Sequence, residues 1–157
     1  MTAMMITGMC AADVSAAEKK TVTDFQAYAA NLDKSAYSGI DLGASYSKKA
    51  TTFKVWSPNA ASVRVNNFEH GSDNKGDAGT IKSRDMSLDK TTCVWSVTIN
   101  GDLLNKYYTY SVTHGKTTKE TADVYAKACG VNGQRSMVVD FGTTNPDGWE
   151  NDKHVLV

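Results

Sequence analysis

Residues capable of chemistry are few and scattered in this 157-residue chain. The histidines His70, His114 and His154 stand far apart, and none has a second His or a Cys at zinc-site spacing. Cys10, Cys93 and Cys129 form no CxxC arrangement, and their odd number leaves one unpaired in a monomer. A Cys93–Cys129 disulfide fits a secreted chain; a buried thiol at Cys93 with a spare one at Cys129 is the alternative. The stretch Asp73-Asn74-Lys75-Gly76-Asp77 has calcium-loop character. However, its glycine is misplaced, its third position is Lys, and Arg84 stands where the bidentate Glu belongs. Gly130 and Gly133 precede no helix and no phosphate-binding lysine, which makes them turn residues. There is no GxSxG and no Cys/His nucleophile pair, and Asp123 and Asp140 are isolated carboxylates. No catalytic residue, metal or cofactor is therefore expected. What remains is aromatic: Trp56, Trp95, Tyr108 and Tyr110. Their flat rings suit stacking on sugar faces, and they suit the core of a β-sandwich equally well.

The elements that carry these rings are legible from periodicity. Thr23 and Gln26 match a capping box, and Phe25, Tyr28, Ala29 and Leu32 then recur on one face, predicting a short helix over 23–32. From residue 50 the period becomes two. TTFKVW (51–56), SVRVN (62–66), RDMSL (84–88), VWSVTI (94–99), YYTYSV (107–112) and SMVVDF (136–141) read as strands. Between them stand Pro58-Asn59, the polar glycine-rich loop 69–80, and breaks at 89–92, 100–102 and 114–116. Alternation sets Tyr108 and Tyr110 on one face and Tyr107 on the other. Short strands about ten residues apart, without βαβ alternation or repeats, predict an all-β, immunoglobulin-like antiparallel sandwich with a short N-terminal helix or arm.

Composition excludes several partners. Lys+Arg and Asp+Glu both number 17, so no polyanion such as nucleic acid is expected. No apolar run approaches the ~18 residues of a membrane span. Residues 1–20 are small and apolar until Glu18, with Val14-Ser15-Ala16 resembling a cleavage site but no basic start. They read as a truncated signal peptide or a cloning-derived arm; the first reading implies an extracellular or bacterial cell-surface protein.

TTFKVWSPNAASVRV (51–65) resembles the opening of the β-sandwich that precedes the barrel in α-amylase-clan enzymes, the carbohydrate-binding module family 48 type. DVYAKACGVNGQRSMVVDF (123–141) and NPDGWENDKHVLV (145–157) narrow the resemblance to the N-terminal region of type I pullulanases, glycoside hydrolase family 13 enzymes that cleave α-1,6 links. It covers residues 37–157. It implies a sandwich over 37–145 after a helical segment at 21–36, with 146–157 leading toward a (β/α)8 barrel. A barrel needs about 250 residues, so the chain is expected to lack one and, with it, the clan's catalytic Asp, Glu and Asp. Glycogen-binding members of the module family use two tryptophans, a lysine and an asparagine. Trp56 matches the first tryptophan, while Thr109, Thr117 and Ser136 fall at the other positions. The resemblance therefore implies a non-catalytic accessory domain that packs against the barrel, with an autonomous α-glucan-binding module as the alternative. Trp56, Trp95, Tyr108 and Tyr110 are the candidate carbohydrate residues. Tyr125, Lys127, Asn132 and Arg135 are the candidate barrel-interface residues. Uncovered, that surface is also expected to allow pairing with a second copy.

Overall fold

The computed structural model describes residues 22–34, 36–73, 82–151 and 153. The arm at 1–20, most of the acidic glycine-rich loop, His154 and the capping-box side chains lie outside them. A 12-residue helix, α1 (Val22–Asp33), precedes the sheets. Tyr28 and Leu32 are half-buried and Ala29 is exposed. The Asn59 side chain donates to the Tyr28 hydroxyl, which ties the helix to the turn that follows Trp56.

Among the described residues ten strands follow: β1 (Gly43–Tyr46), β2 (Ala50–Trp56), β3 (Ser62–Phe68), β4 (Lys82–Asp85), β5 (Ser87–Asp89), β6 (Val94–Asn100), β7 (Tyr107–His114), β8 (Thr117–Thr121), β9 (Ala128–Cys129) and β10 (Ser136–Met137). They build two antiparallel sheets, β1-β2-β6-β5 and β4-β3-β7-β10-β9, with β8 also pairing with β7. The sandwich predicted from period-two alternation is the observed architecture. Register decides which residues meet. In one sheet Phe53 opposes Val97 and Val55 opposes Trp95. In the other Val63, Val65 and Asn67 oppose Val112, Tyr110 and Tyr108. The inward members close on a core of Phe53, Val63, Val65, Met86, Trp95, Ile99, Tyr108, Tyr110 and Val138. Full burial of each such side chain contributes on the order of 2–3 kcal/mol. Ring geometry adds specificity, since Phe53 and Tyr108 meet edge-to-face at 4.9 Å, and Tyr108 and Tyr110 at 5.7 Å.

Two predicted strands are divided. RDMSL breaks at Met86, so that β4 joins one sheet and β5 the other. The Met86 N–H donates to the Val63 carbonyl at 2.9 Å while its side chain enters the core, which makes it the crossing point between layers. SMVVDF is strand only at Ser136–Met137. Val138 still exchanges main-chain bonds with Lys106 and Asn105. Asp140 then accepts from Gly142 N–H at 3.0 Å and turns the chain into a 3-10 segment. Strand β8, TTKET, escaped periodicity because all five residues are exposed. Cys129 is a free, exposed thiol, so the Cys93–Cys129 disulfide is not formed; Cys93 is buried and disulfide-bonded, so the alternative of a buried free thiol there is corrected as well.

Candidate binding face and docking seam

The candidate carbohydrate residues separate by depth. Trp95, Tyr108 and Tyr110 are 7%, 0% and 1% exposed, which removes them as stacking platforms and corrects that expectation. Their inward turn follows from register: each sits on a strand face that meets the opposite sheet. The Trp95 indole donates to the Ser57 carbonyl at 3.0 Å, a partner that lets a buried indole keep its hydrogen bond. Trp56, half-buried, ends β2. The positions matched to the glycogen-binding set do not converge either. Trp56 belongs to one sheet, while Thr109, Thr117 and Ser136 belong to the other. Ser136 is completely buried, its hydroxyl accepting from Asp123 N–H at 2.7 Å.

The outer face of the β3–β7 sheet is polar. Asn66 donates to Ser111 at 2.8 Å and accepts from Ser83 at 2.8 Å. Thr109 donates to Glu120 at 2.5 Å. At one end of this face lies an open recess of about 440 Å³, lined by Phe68, Asp73, Thr109, Glu120, Gln134 and Arg135 among others. Its wall is a clamp built on Arg135. The guanidinium lies 3.7 Å from the Phe68 ring centroid, donates to the His70 carbonyl at 2.7 Å, and pairs with Asp73. The loop after β3 is thereby strapped over the 130–135 turn. Main chains touch there: a Cβ on Gly130 would come within 2.6 Å of Gly71 Cα. Only glycines permit that approach.

Arg135, expected at a barrel interface, has a side chain only 7% exposed. It binds this module to itself, and that too is a correction. The remaining seam residues do face outward. Lys127 is exposed. Asn132 is exposed and holds a left-handed φ of 54° in the turn Val131–Gly133. Tyr125 is 46% exposed, and beside it Val124, which sequence reasoning passed over, is 85% exposed.

These two form the tip of a turn fixed by Asp123. Its Oδ1 accepts Tyr125 N–H at 2.8 Å, and its main-chain carbonyl accepts Ala126 N–H at 3.2 Å. Its Oδ2 accepts the hydroxyls of Tyr108 at 2.8 Å and Tyr110 at 3.3 Å. The turn rests on β1, where Gly43 leaves room for it: a Cβ there would stand 2.9 Å from the Tyr125 carbonyl oxygen. Burial pushes the Asp123 carboxyl above the ordinary aspartate value, against the three donors that favour its ionised form. Burial, with the Asp123 charge, likewise raises both tyrosine hydroxyls. Sequence alone showed Asp123 as an isolated carboxylate; its role appears only when β7 and β10 bring their side chains to it. Among the described residues no group of His, Cys, Asp and Glu is arranged to hold a metal ion.

Comparison with known proteins gives this geometry its context. Residues 41–126 match the family described as Carbohydrate-binding module 48 (Isoamylase N-terminal domain). Over 120 residues the chain is 32% identical to a pullulanase of Klebsiella pneumoniae, covering 71% of this chain and 10% of that protein. Over 110 residues it is 36% identical to the pullulanase of Bacillus subtilis strain 168, covering 70% and 14%. Among solved structures, pullulanase from Paenibacillus barengoltzii in complex with maltohexaose and α-cyclodextrin superposes with a TM-score of 0.71 at 35% identity, covering 80% of this chain and 18% of that one. The chain thus spans only about a tenth to a seventh of the length of these curated relatives. The family match extends over more than half of the residues, and on that basis the chain belongs to the carbohydrate-binding module 48 family.

Proposed function

We propose that this module is the accessory domain of a pullulanase-type, α-1,6-glucan-debranching enzyme and that its main role is to pack against the catalytic part. No hydrolysis is assigned to the module itself. The carrying observation is the Val124–Tyr125 tip, an exposed apolar pair on a turn held by five hydrogen bonds made by the Asp123 side chain and main chain. A pre-ordered apolar tip loses little freedom on docking, which is what makes a contact residue effective. The test is hydrogen exchange and side-chain footprinting of the complete enzyme bearing this module. Protection at residues 124–127 relative to the isolated chain is expected; equal exposure in both refutes the docking role.

The second reading, autonomous α-glucan binding, is favoured by the recess, whose Thr109, Glu120, Gln134 and Arg135 are the kinds of group that hydrogen-bond sugar hydroxyls. Electrophoresis through gels containing pullulan, amylopectin or glycogen decides it. Retardation abolished by Glu120→Gln supports binding at the recess, retardation abolished by Trp56→Ala supports binding on the other sheet instead, and unchanged mobility at high polysaccharide removes the reading. Export of the protein, which an extracellular polymer would require, belongs to the same proposal.

A further inference from the structure

Asp123 joins two things that the fold otherwise keeps apart, the tyrosine pair of the core and the exposed tip of the seam. The groups that face its carboxylate can be named from every element around it. Strand β7 supplies the hydroxyls of Tyr108 and Tyr110, and β10 supplies Ser136, bonded to the Asp123 N–H. Its own turn supplies the Tyr125 N–H, and β1 brings Gly43, which has no side chain. Among the described residues no lysine, arginine or histidine bonds to this carboxylate. The carboxylate is thus held by three neutral donors, two of which can rotate and one of which cannot.

We propose that Asp123 is a proton-responsive positioning residue: ionised, it fixes the Val124–Tyr125 tip, and on protonation it loosens that tip while the core stays folded. The hydroxyls of Tyr108 and Tyr110 can accept as well as donate, so a proton on Oδ2 is accommodated by rotation of one of them. The Tyr125 N–H has no such freedom. Its bond to Oδ1 changes from charge-assisted to neutral, and that change roughly halves its strength. Burial raises the Asp123 carboxyl, which places the event above the range where surface aspartates titrate. Any effect on docking rests on the packing role proposed above, but the loosening itself is a property of this chain alone.

The experiment uses the full chain, with 13C-labelled aspartate to follow the Asp123 carboxyl and amide exchange to follow Tyr125. On acidification the protection factor of the Tyr125 amide should fall about fivefold, the difference between a charge-assisted and a neutral bond. Its midpoint should coincide with the Asp123 titration. The Val138 amide, bonded to the Lys106 carbonyl at 2.9 Å, should keep its protection. The Asp123→Asn variant, which mimics the neutral acid, should show the lower Tyr125 protection at every pH. Tyr125 protection that stays flat through the Asp123 titration overturns the proposal, and so does a fall shared equally by Val138. Either result leaves the docking role standing, because that role is judged separately in the complete enzyme.

Discussion

Replacing Arg135 by Ala tests whether this residue belongs to the module's interior or to an interface. Three contacts are lost. A charged donor to a main-chain carbonyl at 2.7 Å is worth about 1.5–3 kcal/mol. The guanidinium 3.7 Å from the Phe68 centroid adds about 0.5–1 kcal/mol. The pair with Asp73 adds little, because that carboxylate is 71% exposed and solvent screens it to at most about 1 kcal/mol. The freed loop recovers some hydration, so a net loss of about 3 kcal/mol is expected, or roughly 6–12 °C in Tm for a domain of this size. Arg135→Lys keeps the charge but not the planar fork, and should lose about half as much. Asp73→Asn should cost less than about 1 kcal/mol. Urea denaturation of the isolated chain measures all three, with an unchanged m-value showing that stability alone moved. A loss below about 1 kcal/mol for Arg135→Ala would refute the clamp. If the same variant then weakened docking in the complete enzyme, Arg135 would return to the interface.

Gly130→Ala should destabilise by about 2 kcal/mol or more, because the new Cβ meets Gly71 main chain rather than a movable side chain; a neutral outcome would show that the two loops separate freely. Val124→Ser and Tyr125→Ser should each alter the stability of the isolated chain by no more than about 0.5 kcal/mol, as expected of exposed positions. Larger losses in urea would mean that the tip serves the core rather than a partner. The raised Asp123 carboxyl carries a definite sign: the folded chain holds this proton more tightly than the unfolded one, so its contribution to stability is complete below the ordinary aspartate value and is lost as pH rises through the raised value. The stability of the parent chain minus that of Asp123→Asn should therefore fall with rising pH over that window and then level off. A difference that rises instead contradicts the desolvation argument. The overall acid response runs the opposite way, because Asp41, Glu69, Asp85, Asp89 and Asp102 all titrate below their ordinary values and lose their hydrogen bonds on protonation.

The sequence by itself determined the sandwich, the positions of its main strands and the family. Alternation of apolar and polar residues is a local signal, and it survives wherever one face of a strand is buried. Strand β8 lay beyond that signal because it has no buried face, and RDMSL misled because alternation does not say when a strand leaves one sheet for the other. Only the tertiary structure decided which aromatic rings face inward. Tyr108 and Tyr110 share a face by spacing alone, but it is the opposite sheet, through Phe53, that makes that face the core. The same holds for charge. Arg135 in a polar, glycine-rich stretch reads as a surface residue until Phe68 and the His70 carbonyl, more than sixty positions earlier, fold onto it. Asp123 reads as an isolated carboxylate until two core tyrosines donate to it. Spacing along the chain reports which side of a strand a residue occupies, whereas long-range pairing decides what lies on that side.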